Sequence, residues 1–256
     1  MTKSNISPGC GPLEIQAGPA CCVMLHGSLA SPHYFRETAE FLAARGYSVC
    51  APLLAGHGTS WRDLQKTAWK ELVESARAGV ASAWEMGCDC FFLLGHSLGG
   101  MLAVELAAER PRGLRGTIAV SAPAGFPRWI TDPFSAFTRL VPVLPRAFRK
   151  TPDLNVDLFN RYNRLPMEFY RRIIEAMPHN RELLPRIEVP LLIVHGKLDS
   201  NVPLPNARRL FREAGSEKKE LFLVDGEGHG PLWYGRKREV MERIARFMDG
   251  AAGGGG

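Results

Sequence analysis

Short apolar runs that alternate with stretches of helical spacing constrain the fold of this 256-residue chain more than any other feature of its sequence. Within each run the apolar residues are continuous, which is typical of strands covered on both faces in a parallel sheet. The repeated order of strand and helix predicts a doubly wound α/β fold, with a mostly parallel sheet and helices on both faces. Strands are predicted at CCVML (21–25), YSVCA (47–51), CFFLL (90–94), GTIAVSA (116–122), PLLIVH (190–195) and ELFLVD (220–225). Helices are predicted at about 34–45, 67–86, 98–110, 203–214 and 232–248.

One interval, residues 124–186, interrupts this order and separates the fourth predicted strand from the fifth. It contains eight of the 19 prolines and nine aromatic residues. We predict that it forms a helical cap over one end of the sheet. The α/β core would then comprise residues 1–123 and 187–250, followed by a flexible Gly-rich tail at 251–256.

The segment PMEFYRRIIEAM inside the interval is predicted to form a helix. Pro166 suits a first turn, and Tyr170, Ile173, Ile174 and Met177 form one apolar stripe. The many aromatic residues around it indicate either the wall of an apolar binding site or the core of the cap itself, and the sequence leaves both interpretations open.

The charge of the chain is +6, and the excess is concentrated in the interval 124–186, where eleven basic residues stand against six acidic ones. A solvated basic face is one interpretation. Attraction to anionic substrates or to a membrane surface is the other. No nucleic-acid-binding motif accompanies the basic residues, so nucleic acid is not an expected partner.

The cysteines and the lengths of the apolar runs indicate in which cellular compartment the protein is expected. Several cysteines lie within apolar runs and none form a CxxC pair, so we expect buried free thiols and a reducing cytoplasm. No apolar run approaches the ~18 to 20 residues of a membrane span, so stable membrane insertion is not expected. The N-terminal residues do not resemble a signal peptide. The six cysteines are Cys10, Cys21, Cys22, Cys50, Cys88 and Cys90.

The sequence FFLLGHSLGG (91–100) places Gly95, Gly99 and Gly100 around Ser97, directly after a predicted strand. G-x-S-x-G between a strand and a helix is the arrangement of a nucleophile elbow. The turn is so sharp that larger side chains beside the serine would collide, which explains the flanking glycines. We expect the serine hydroxyl at the amino end of the following helix, where free N–H groups favour negative charge.

A serine nucleophile needs a general base, and the base needs an acid that orients it. In a fold of this type the chain order is serine, then Asp or Glu, then His, each after a strand. Asp199 follows a predicted strand by four residues in PLLIVHGKLDSNVP, and His229 follows the last one by four in LFLVDGEGHGPLW. We therefore predict that Ser97 is the nucleophile, His229 the base and Asp199 the orienting acid.

Other acids and histidines compete for these roles. Asp132, after the preceding strand, is the main alternative acid, whereas Asp225 and Glu227 are too close in sequence to the predicted base to orient it. His195 ends its strand and is expected to be structural, and His179 lies in the insertion. The remaining histidines precede or adjoin the serine.

Two backbone N–H groups are expected to bind the oxyanion of an acyl-transfer reaction. One belongs to Leu98, the residue after the predicted nucleophile. The other should come from the loop after the first parallel strand, in VMLHGSLAS, where His-Gly lets the chain pass close to the serine. That position is Ser28, whose hydroxyl either assists or is an ordinary loop hydroxyl.

Five motifs, LHGSLAS, GYSVCAPLLAGHGTS, GHSLGGMLAVELA, GKLDSNVP and GEGHG, occur in order over residues 13–250. Together they resemble the α/β-hydrolase superfamily, and in particular its small bacterial carboxylesterases and monoacylglycerol lipases. The resemblance implies an acyl-serine mechanism without a metal or cofactor, and a small-molecule ester as substrate. It assigns the triad to Ser97, Asp199 and His229, with the two N–H donors named above at the oxyanion hole.

The chain departs from the family pattern in two places. Only PLEIQAG precedes the first parallel strand, so the opening antiparallel strands are expected to be truncated. Ser28 stands where the family often has a bulky apolar residue, which leaves the shape of the acyl pocket open.

The function that we expect is hydrolysis of short- or medium-chain acyl esters or monoglycerides. Thioesterases, carbon–carbon bond hydrolases and perhydrolases use the same triad and remain alternatives, as does a receptor-like ligand-binding homologue. Epoxide hydrolases and haloalkane dehalogenases are disfavoured because they have Asp where this chain has Ser97.

Overall fold

A seven-stranded sheet dominates the computed structural model of the protein, which describes residues 6–145 and 162–252. The strands of the described residues are β1 (Leu13–Ile15), β2 (Ala20–Leu25), β3 (Tyr47–Ala51), β4 (Cys90–His96), β5 (Leu114–Val120), β6 (Val143–Pro145), β7 (Arg164–Pro166), β8 (Leu191–Gly196) and β9 (Lys219–Val224). The seven strands of the sheet lie in the order β1-β3-β2-β4-β5-β8-β9, with β1 antiparallel to β3 and the other neighbours parallel. All six predicted strands are present, and the fold class is confirmed.

Helices cover both faces of this sheet. The five predicted helices correspond to α1, α3, α4, α7 and α8, with ends that differ by a few residues. The helices of the described residues are α1 (Arg36–Ala43), α2 (Trp61–Lys66), α3 (Trp69–Glu85), α4 (Leu98–Ala108), α5 (Arg128–Leu140), α6 (Met167–Glu182), α7 (Pro205–Glu213) and α8 (Lys237–Ala252). Short 3-10 turns lie at Pro32–Phe35 and Leu184–Arg186.

The central strands are buried on both faces, which is why their apolar residues are continuous. In β4, Phe91 and Leu93 belong to a core layer that also contains residues of α3 and α4. The alternate residues Phe92 and Leu94 belong to the opposite layer, with residues of α1 and α8. Successive strand residues point to opposite faces, so a strand covered by helices on both sides needs an apolar residue at nearly every position.

Between β5 and β8, in the interval predicted to be a cap, the described residues form α5, the antiparallel ribbon β6–β7 and α6. Residues 146–161 of the predicted cap lie outside the described residues. The predicted helix is present as α6, but Pro166 precedes its first turn, and the helix continues through Pro178 to Glu182. Contacts to the core hold the extra turn, since the Asn180 side-chain amide donates to the carbonyl oxygen of Met101 over 2.8 Å.

The helix α8 extends two residues into the segment 251–256, which was predicted to be a flexible Gly-rich tail. Ala251 and Ala252 are the last two residues of this helix. Residues 253–256 lie outside the described part of the chain. At the other end, β1 is the single strand of the described residues that precedes the parallel strands, as the short PLEIQAG segment predicts.

The six cysteines, all within the described residues, form no disulfide, and each is buried except the half-buried Cys90. Among the described residues, no helix is both long enough and apolar enough to cross a membrane.

Gly99 lies where the first turn of α4 crosses the end of β2, and an ideal Cβ on it would lie 1.8 Å from the carbonyl oxygen of Leu25. We expect Gly99→Ala to lower the free energy of unfolding by about 3 kcal/mol, because main chain rather than a flexible side chain blocks the added methyl. Urea denaturation measures the change. Gly250→Ala in α8 is the matched control, since a Cβ there meets nothing within 4 Å. A loss below about 1 kcal/mol for Gly99→Ala would contradict this close packing.

Candidate active site

Ser97 occupies a strained turn between β4 and α4. Its backbone has φ 53° and ψ −114°, a conformation that L-residues rarely adopt. The turn brings the backbones of β4 and α4 so close that a Cβ on Gly95 would lie 2.1 Å from the carbonyl oxygen of Gly99. The two glycines therefore permit the turn, as the sequence predicts, and the turn places the serine hydroxyl at the amino end of α4.

The three residues predicted to form the triad are in hydrogen-bond contact. Nε2 of His229 lies 3.0 Å from Oγ of Ser97, and Nδ1 of the same ring lies 2.8 Å from Oδ2 of Asp199. Asp199 lies in the loop after β8 and His229 in the loop after β9, so the carboxyl ends of three parallel strands supply the three groups. The first distance is short enough for proton transfer between the predicted nucleophile and base, and the second lets the predicted acid orient the base through a hydrogen bond.

The carboxylate of Asp199 is fully buried, and both of its oxygens have hydrogen-bond partners. Its Oδ1 accepts backbone N–H groups of Asn201 and Val202, each over 2.9 Å. Burial alone would raise the pKa of this carboxyl, but the hydrogen bonds from His229 and Val202 outweigh it, and the net pKa is lowered. An ionised Asp199 accepts the Nδ1–H of His229, which leaves Nε2 free to accept the proton of the serine hydroxyl.

The alternative residues lie elsewhere. Asp132 is on the exposed side of α5, 3.4 Å from Arg128. Glu227 accepts the backbone N–H of Arg236, and His195 donates from Nε2 to the carbonyl oxygen of Val202. Nε2 of His195 lies 3.5 Å from the carboxylate of Asp199, the predicted orienting acid. Asp225 and His179 do not line the cavity beside Ser97.

The two residues predicted to supply oxyanion donors, Leu98 and Ser28, both lie near Ser97. Leu98 is the first residue of α4, so its N–H has no acceptor within the helix. Ser28 follows Gly27, on which an ideal Cβ would lie 3.4 Å from Cβ of Ser97. Both residues line the same cavity as the serine. The positions are compatible with two N–H groups facing an oxyanion, and that role stays a prediction.

A cavity of about 620 Å³ opens above Ser97. The predicted stripe of α6, Tyr170, Ile173, Ile174 and Met177, forms one apolar wall of it. Of the other aromatic residues described in the interval 124–186, Phe126 alone joins this wall. The rest of the lining consists of Gly27, Ser28, Leu29, Ala30, Tyr34, His96, Leu98, Pro123, Asn201, Val202, His229, Gly230, Trp233 and Tyr234.

Several lining residues were not predicted from the sequence. His96 and Asn201 adjoin Ser97 and Asp199 in sequence, and that adjacency is the signal that could have identified them. Tyr34 and Trp233 lie in segments without a motif, and the indole N–H of Trp233 donates to the Tyr34 carbonyl oxygen over 2.7 Å. Among the described residues, no group of three or more His, Cys, Asp and Glu side chains is placed to hold a metal ion.

Four histidines are buried, and burial favours the uncharged form of each. Burial lowers the pKa of His57 to about 4 and that of His96 to about 3, and it also lowers the pKa of His26 and His195. In the His26 ring, Nε2 accepts the backbone N–H of Leu54, so protonation would remove that hydrogen bond. The other three each have one ring nitrogen without a hydrogen-bond partner among the described residues, which a proton would turn into a buried unpaired donor.

We therefore expect stability to fall as the pH is lowered from about 6.5 toward 4, because the unfolded chain binds protons that the folded chain excludes. Each such histidine contributes a slope of up to about 1.4 kcal/mol per pH unit over that window. Urea denaturation at pH 7.5, 6 and 5 measures the effect. His57→Phe removes one of the four groups and should make the dependence shallower; an equal slope in that variant would contradict this origin.

Comparison with known proteins agrees with this architecture. The alpha/beta hydrolase family matches residues 22–243 of the chain. A thermostable monoacylglycerol lipase of Bacillus sp. (strain H-257) is 29% identical over 252 residues, which cover 96% of each protein. A carboxylesterase of Bacillus subtilis (strain 168) is 21% identical over 243 residues, or 93% of this chain and 96% of the relative.

Solved structures of lipolytic enzymes also superpose on this chain. A structure reported for metagenome-derived lipolytic enzymes superposes with a TM-score of 0.87 at 25% identity, covering 96% of this chain and all of the other. The monoacylglycerol lipase of Paleococcus ferrophilus superposes with a TM-score of 0.75 at 21% identity, over 94% of this chain and 98% of that one, and shows the fold. The chain belongs to the alpha/beta hydrolase family and is a hydrolase of the lipase and esterase type.

Proposed function

We propose that the protein cleaves carboxylic esters through an acyl-serine intermediate. The observation that carries the proposal is the continuous hydrogen-bonded series from Ser97 through His229 to Asp199, with distances of 3.0 and 2.8 Å, at the floor of an apolar cavity. A serine in this setting has both a base for its proton and an acid that holds the base.

The reaction would proceed in two halves. His229 Nε2 takes the proton of Ser97 as Oγ attacks the ester carbonyl carbon, and the N–H groups of Leu98 and Ser28 bind the oxyanion. His229 then protonates the leaving alcohol as the carbon–oxygen bond breaks. Water, deprotonated by the same imidazole, then attacks the acyl carbon. The bond from that carbon to Oγ of Ser97 breaks, Oγ takes the proton back from His229, and the acid is released. Throughout, Asp199 stabilises the imidazolium that forms.

The substrate that fits best is an ester with a short or medium apolar acyl chain, or a monoglyceride. The stripe on α6 supplies an apolar wall beside the proposed nucleophile. The cavity volume of about 620 Å³ is in the range of sites that enclose a small organic molecule. Relatives named monoacylglycerol lipase and carboxylesterase support the same substrate class.

Two measurements on the purified protein test the proposal. A fluorophosphonate probe should label Ser97, identified by peptide mass spectrometry. Hydrolysis of p-nitrophenyl esters from acetate to palmitate, with a monoacylglycerol in parallel, should show multiple turnovers and a maximum at short or medium chain length. A maximum at palmitate with interfacial activation would contradict the chain-length assignment. Labelling without turnover would indicate a receptor-like homologue instead.

We also propose a reducing compartment, the cytoplasm, for this protein. The support is that its six cysteines, all within the described residues, form no disulfide, and five of them are buried.

A further inference from the structure

His96, the last residue of β4, is linked to both the proposed nucleophile and the proposed base. Its main chain directly precedes Ser97, and its ring nitrogen Nε2 lies 2.8 Å from the carbonyl oxygen of His229. Because a carbonyl oxygen only accepts, Nε2 of His96 carries the hydrogen. His229 is therefore hydrogen-bonded twice to neighbouring residues of the chain, through its side chain to Ser97 and through its main chain to His96.

The imidazole of His96 is fixed in place. It stacks on Tyr34 at 4.4 Å between ring centroids and an angle of 18°, and its centroid lies 5.0 Å from that of His229. Only 6% of the residue is exposed. Because the ring of His96 is held in this way, its hydrogen bond restricts the position of the His229 carbonyl group, which belongs to the main chain of the proposed base.

Stability alone does not explain an imidazole at this position. Its Nδ1 is buried and has no hydrogen-bond partner among the described residues, an arrangement that costs about 1–3 kcal/mol. A phenyl ring would stack on Tyr34 without that cost. What His96 has and phenylalanine lacks is one N–H directed at His229.

The donor must also be uncharged. His229 becomes positive while it holds the proton of the serine, and a lysine or arginine beside it would oppose that charge. Burial, reinforced by the neighbouring His229, lowers the pKa of His96 to about 3, so its donor is neutral at the pH of catalysis. Among the described residues, the titratable groups that stack on this ring or interact with it electrostatically are Tyr34, His26, Asp199, His195 and His229.

We propose that His96 is a positioning residue, whose N–H fixes the main chain of His229 so that the base stays within hydrogen-bond distance of Ser97. This inference rests on the proposed function and adds a residue that the triad itself does not include.

The test uses two amides that differ in reach. In His96→Gln the amide nitrogen can occupy the place of Nε2, whereas in His96→Asn it falls one methylene short. We expect the Gln variant to keep kcat for p-nitrophenyl butyrate within about threefold, and the Asn variant to lose about 10- to 100-fold with KM nearly unchanged. His96→Phe, which keeps the ring but has no donor, should lose as much as the Asn variant.

Rates are expressed per fluorophosphonate-titrated site, so that unfolded molecules do not contribute. His57→Asn is the matched control, because His57 is also a buried imidazole but does not line the cavity; it should keep kcat. Equal kcat in the Gln, Asn and Phe variants would overturn the inference, as would a rise in KM at constant kcat. Absence of ester turnover in the unmodified protein would overturn the proposed function, and this inference with it.

Discussion

Ser97→Ala is expected to reduce kcat for p-nitrophenyl butyrate by about 10⁵- to 10⁶-fold, because no other group can form the acyl-enzyme. The residual rate should come from the oxyanion donors and the cavity, which the substitution leaves in place. The protein should remain folded, since the serine hydroxyl is hydrogen-bonded to the ring of His229 and alanine removes a single oxygen. Stopped or discontinuous assays at high enzyme concentration measure kcat, and circular dichroism measures folding.

The structure provides a closely matched control for this substitution. Ser121 follows β5, the neighbour of β4, and like Ser97 it has a positive φ, of 48°. Its hydroxyl is buried without a hydrogen-bond partner among the described residues, and it does not line the cavity. Ser121→Ala should therefore keep kcat within about twofold. If Ser97→Ala kept a comparable rate, the serine mechanism would be wrong.

The parts of the fold that were predicted correctly are those in which one local rule fixes the residues. Burial on both faces makes β4 continuously apolar, so Phe91 and Phe92 indicate a central strand although they face opposite layers. The elbow at Ser97 is equally local, because its glycines are required by the approach of two backbones. The proposed triad needed one further rule, the chain order of its members, from which Asp199 and His229 were chosen. The structure places these two side chains 2.8 Å apart, and their catalytic roles stay a prediction.

What the sequence did not reveal depends on tertiary contacts. The stripe on α6 was predicted, but helical spacing shows that Tyr170 and Ile174 share a face without showing that the face lines a cavity. The same limit applies to Tyr34, which reaches the cavity from the 3-10 turn after β2. In α5, Pro133 interrupts the helical pattern, and the helix was not predicted.

Asp199→Asn should lower kcat by about 10⁴-fold and leave KM nearly unchanged, since this residue does not line the cavity. The reason lies in the tautomer of His229. The Asn oxygen would stay where Oδ1 accepts the N–H groups of Asn201 and Val202, so the amide NH₂ must face Nδ1 of the imidazole. Nδ1 would then accept, and the ring hydrogen would move to Nε2, the atom that must take the serine proton.

The control for this variant is Asp132→Asn, which makes the same change at the acid that was the main alternative in the sequence. Because Asp132 lies on the exposed side of α5 beside Arg128, its substitution should leave both kcat and stability close to those of the unmodified protein. The same Asp→Asn change is therefore expected to lower kcat at position 199 and to leave kcat unchanged at position 132. A loss of kcat in Asp132→Asn with normal activity in Asp199→Asn would show that the buried carboxylate is structural and that the orienting acid comes from α5.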